Sequence, residues 1–151
     1  MPRALKTQFL LTAIWSAVGL LSGLYYREFT KINDFDGPTQ LAVSHTHFLT
    51  LGALAGMIFL ALEKVFQLSA SGTKYSVFLW TWNVGLAITG LMLTFKGSLQ
   101  VLGNQLADSA ALAGISGLGH ITLTVGFIFL LLALRNRIAV DTPALVGARN
   151  S

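Results

Sequence analysis

Leu41-Ala42-Val43-Ser44-His45-Thr46-His47-Phe48-Leu49-Thr50-Leu51-Gly52 opens a run that continues to Ala61-Leu62 without one Asp, Glu, Lys or Arg. About 20 such residues, each rising ~1.5 Å, cross a ~30 Å hydrocarbon layer, so the stretch reads as a transmembrane helix. Two of the chain's three histidines lie inside it, one residue apart, and the third, His120, follows Gly117-Leu118-Gly119 in another apolar run. Polar side chains are costly in a bilayer, and an intramembrane ionisable group is by default a functional one that faces the bundle interior.

Outward from this stretch the same pattern repeats. Spans are predicted at about 8–26, 41–62, 75–96 and 111–134, giving an all-α integral membrane four-helix bundle over residues 1–137. Residues 138–151, with Pro143 and Gly147 and no periodicity, read as a flexible cytoplasmic tail. The composition agrees: 54% of residues are hydrophobic, 11% are charged and the mean hydropathy is +0.68, outside the balance of soluble domains. The first span is too long for a signal-peptide core and lacks a small-x-small cleavage site, so it reads as retained. Tyr25, Tyr26, Trp80 and Trp82 suit interfacial belts or packing. Glu63-Lys64 marks the end of the second span, Pro38-Thr39 its entry, and Asp108 or Ser109 caps the fourth.

The net charge of +4 comes from basic residues scattered at span ends and not from any run, so nucleic acid is not an expected partner. Instead the charges report topology. With the termini inside, Arg3, Lys6, Lys64, Lys74, Arg135, Arg137 and Arg149 are cytoplasmic, seven of the ten, and Arg27, Lys31 and Lys96 are outside. The positive-inside rule therefore predicts cytoplasmic termini. The second and fourth spans then both descend from the outer face, which puts His45, His47 and His120 in the outer half of the membrane. Cysteine is absent, which excludes disulfides, thiolate metal sites, iron–sulfur clusters and covalent haem attachment.

At ~100° per residue His45 and His47 stand ~200° apart, so a regular helix cannot turn both into one compact site. The His45 stripe continues through Gly52 and Gly56, and His120 has Gly117 three residues before it and Thr124 four after. Small residues beside a histidine suit a porphyrin lying close to a helix. They also serve ordinary helix packing.

Over nearly its whole length the chain resembles a family of small bacterial four-span membrane proteins of uncharacterised function. The shared marks are Ser44-His45-Thr46-His47-Phe48-Leu49-Thr50-Leu51-Gly52 and Gly119-His120. His45-Thr46-His47 also resembles the His-x-His of one four-helix arc in the catalytic subunit of haem–copper oxidases and nitric oxide reductases, where the two imidazoles face apart toward different haems. Neither the adjacent His-His pair nor the His-Tyr pair of the oxidase copper centre is present, so oxygen reduction with proton pumping is not expected.

Because one helix cannot turn both imidazoles into one bundle interior, a homo-oligomer in the bacterial inner (cytoplasmic) membrane is expected, and the resemblance to three arcs favours a trimer. Non-covalent haem b is expected, with His47 and His120 as ligands and His45 either a ligand across a subunit contact or the donor that tunes one, Gly52, Gly56, Gly117 and Thr124 beside them and Arg27 and Lys96 near the propionates. Electron exchange with a donor, or binding of a diatomic gas such as NO or O2, is the expected function. The alternatives are a histidine-ligated copper or zinc site without haem, and a small transporter or membrane scaffold. A transporter would want a broken helix or an intramembrane carboxylate. The sequence displays neither, although Asn83 lies on the third span.

Overall fold

The computed structural model describes residues 1–149, with side chains to Val140. Four long helices account for most of it: α1 (Arg3–Ile32), α2 (Leu41–Phe66), α3 (Thr73–Val101) and α4 (Ala110–Arg149), and no strand occurs among the described residues. All four are apolar and long enough to cross a membrane, the fourth over Ala110–Val140. Each outruns its predicted span. α1 passes through Arg27 to Ile32, α3 reaches Val101, and α4 continues beyond Arg137. Charged residues end a membrane span without ending its helix, because water satisfies side chains that lipid would not. The flexible tail expected over 138–151 falls mostly on residues whose side chains lie outside the description.

Burial on α1 is inverted relative to a soluble protein. On α1 the buried residues are Gln8, Thr12, Gly19 and Ser22, and Phe9, Leu10, Ile14, Leu20, Leu21 and Leu24 are exposed. Lipid is as apolar as leucine, so helices associate through small and polar residues and leave their large apolar side chains to the bilayer. The chain is a multi-pass membrane protein.

The helices form a row, α1 on α2, α2 on α3, α3 on α4, and α4 packs along α3 for much of its length. Glycines let the backbones approach. Any side chain at Gly97 would collide with the backbone of Leu41, and one at Gly85 with that of Leu123. The entry of α2 is pinned to the end of α3. Thr39 Oγ1 donates to the Gly97 carbonyl at 2.8 Å and accepts from Leu41 N–H at 3.1 Å, and Gln40 N–H donates to Gln100 Oε1 at 2.7 Å. At the other end Ser71 Oγ donates to the Ala133 carbonyl and Arg137 Nε to the Phe66 carbonyl.

Between these pins α2 is not uniform. It is α-helical over Leu41–His47, π-helical over Phe48–Leu54 and α-helical again over Ala55–Phe66. In the wider turn Ala55 N–H reaches back five residues to the Thr50 carbonyl, and from α3 Trp82 Nε1 donates to the Leu51 carbonyl at 3.0 Å. Phe48, 2% exposed, stacks on Trp15 with centroids 5.6 Å apart. Phe59 meets Phe78 and Trp82 edge-on at 4.9 and 5.0 Å. Trp82 is thus a core residue, whereas Trp80 is 71% exposed toward lipid.

Candidate histidine site

His45 and His47 occupy the last turn of the α-helical segment, directly before the π-helical one. Their faces differ. His45 lies against α1: its ring stacks nearly parallel to Tyr26, 10° between planes, and its side chain packs over Gly23, with Cβ 3.6 Å and the ring 3.7 Å from where a Cβ would stand. Its Nδ1 is buried without a hydrogen-bond partner. Such an atom costs about 1–3 kcal/mol.

His47 instead lines an opening of about 230 Å3 with Thr46, Thr50 and Leu51. Its Nδ1 is 3.0 Å from the Val43 carbonyl, one turn back on the same helix. A carbonyl can only accept, so this bond places the proton on Nδ1 and leaves the Nε2 lone pair free.

The same arrangement recurs at His120, whose Nδ1 is 3.0 Å from the Ser116 carbonyl. Its neighbour Gly119 lets α4 settle on Ile88 and Thr89 of α3, so His120, one residue on, emerges exposed. Nothing lies within 4 Å of where a Cβ would stand at Gly114 or Gly117. The histidine face of α4 is uncovered.

Other predicted residues are placed differently. Gly52 and Gly56 face α1, where Trp15 and Thr12 already fill the space beside them; the gap read as room for a flat ligand is a helix–helix contact. Thr124 Oγ1 donates to the His120 carbonyl at 2.9 Å, bonding backbone and not imidazole. Arg27 pairs with Glu28 at 2.9 Å on the surface, a bond worth little in water. Lys96 is half-buried in α3 beside Gly97.

The three histidines do not converge within one chain. Among the described residues no three His, Cys, Asp or Glu side chains come together in metal-binding fashion. Sequence reasoning missed Gly23 and Tyr26, which carry His45; Tyr26 is three residues after Gly23 and so on its face of α1, a signal masked by the belt reading. It also missed that Glu63 is an interior carboxylate, 5% exposed, bonded by Ser69 through N–H at 2.8 Å and hydroxyl at 2.6 Å.

No curated protein and no solved structure matches the chain. A family profile does, over residues 5–137, which takes in all four helices and every histidine. The chain belongs to the family described as Protein of unknown function (DUF2871).

Proposed function

We propose that the chain is a b-type haem membrane protein in which His47 and His120 supply axial nitrogens. One observation carries this reading. On two different helices an imidazole is fixed through Nδ1 to a carbonyl of its own helix, at 3.0 Å in each case, and so presents Nε2 outward. Histidines that ligate metals are oriented in this way by the bond their other nitrogen makes. Small or open surroundings at Gly114, Gly117 and the Thr46–Thr50 opening suit a flat apolar group. Haem bound there supplies one-electron chemistry when both axial positions are histidine, and gas binding when one stays open.

Because His120 stands uncovered on the edge helix of the row, the site is completed by another copy of the chain. The open row of four helices supports the likeness to one arc of the haem–copper oxidase fold, and with it a homo-oligomer, a trimer by that likeness. Lys96 and Arg27, at the same end as the histidines, are the cations available to propionates. The distribution of basic residues supports cytoplasmic termini in a bacterial inner membrane.

Purification in mild detergent from haem-replete cells tests this reading. The expected result is a coloured protein with a Soret band whose haem leaves in acid acetone. A colourless protein with stoichiometric copper or zinc would transfer the histidines to the metal-ion reading, whose donors would have to come from more than one copy.

A further inference from the structure

At the end of the bundle that carries the termini, the interior holds a cluster of polar side chains. Gln8 and Thr12 of α1, Glu63 of α2 and Tyr75 of α3 are 3, 8, 5 and 7% exposed. Ser69 holds the Glu63 carboxylate, whose charge acts on the Tyr75 hydroxyl, and the Gln8 side chain is that hydroxyl's other polar neighbour. Neither Tyr75 Oη nor Gln8 Nε2 closes a hydrogen bond within the chain, although both atoms are shut off from the surface.

Spaces adjoin this cluster on both sides. Deeper in the bundle lies a cavity of about 10 Å3, mostly apolar in lining (Leu11, Leu51 and Phe59 among others) but bordered by Gln8 and Asn83, room for about one water. Asn83 Oδ1 accepts from Trp15 Nε1 at 2.7 Å and keeps a second acceptor site. Toward the surface, a cleft of about 470 Å3 reaches Glu63 beside Lys64, and one of about 450 Å3 reaches Tyr75 beside Arg3.

We propose that Glu63, Tyr75, Gln8 and the cavity beyond them form a hydrated inlet that admits water and protons from the terminal end of the bundle to its midplane. Gln8 and Asn83 both border the inner cavity, and Glu63 and Tyr75 each border a surface cleft; each of the four side chains is able to donate to or accept from water. Gln8, whose Nε2 lacks a partner, borders that water-sized space, and such a group is what an ordered internal water satisfies.

The test uses the full chain in lipid vesicles and does not depend on haem. Water-edited solid-state NMR, with labelled glutamine side chains and tyrosine rings, should show early transfer from water to Gln8 Nε2 and the Tyr75 ring, with Gln8→Leu and Tyr75→Phe assigning the signals. In D2O the Trp15 indole proton should exchange, and Tyr75→Phe should slow that exchange about tenfold. The conservative Tyr75→Phe keeps the ring and therefore the fold. Native backbone shifts with no water transfer at Gln8 or Tyr75 would overturn the inlet, as would Trp15 exchange indifferent to Tyr75→Phe.

Discussion

An imidazole bonded through Nδ1 to the carbonyl four residues earlier has one nitrogen left to offer, and His47 and His120 share that state. His45 does not. Its Nδ1 sits unpartnered against α1, so an aromatic ring of similar size without the polar atom should fit at least as well. His45→Phe is expected to leave the thermal unfolding midpoint in detergent unchanged or raised; a loss above about 1 kcal/mol would mean that the nitrogen has a partner. Periodicity made the divergence of His45 and His47 legible from sequence, because two residues on a helix must stand ~200° apart. What each faces was not legible, since Tyr26 and Gly23 belong to another helix and an aromatic at a span end satisfies a belt reading equally well.

The elements were legible because twenty uncharged apolar residues have few other folds available. Their irregularities were not. The π-helical segment Phe48–Leu54 follows no sequence rule; within it the Leu51 carbonyl accepts from Trp82, a tertiary partner on α3. Trp82→Phe keeps the edge-on packing with Phe59 and removes that donor, which should lower stability by about 1 kcal/mol in chemical or thermal unfolding. Gly97 acts harder on the same helix, because any side chain there meets the Leu41 backbone. Gly97→Val is expected to cost about 1–3 kcal/mol or more and to reduce bound haem with it, since α2 carries His47 from that pin. Normal haem content in a Gly97→Val protein would separate the pin from the site.

For the whole molecule, large apolar side chains exposed on every helix say that lipid is the solvent, and α1 goes further, with Gln8 and Thr12 inside and Leu20 and Leu21 outside. Even helix number returns the chain to the end where it began, so reporters fused after Lys64 and after Arg137 should report the same side, expected to be the cytoplasm. An external score at either would invert the site. That Glu63 is buried was not legible from sequence, because a charge at a helix end looks alike whether it faces water or the interior; only the Ser69 bonds reveal the latter. Likewise the uncovered face at Gly114, Gly117 and His120 exists only because the helices form a row. Assembly should follow from it, and crosslinking in native membranes should trap a homo-oligomer through cysteines placed at Gly114.

Haem per chain, measured by pyridine haemochrome on the native protein and on His47→Ala and His120→Ala purified alongside it, bears most directly on ligation through these two nitrogens. The account predicts haem in the native protein, with loss of haem or a changed spin state in each variant. Full haem and an unchanged spectrum in both variants would contradict it.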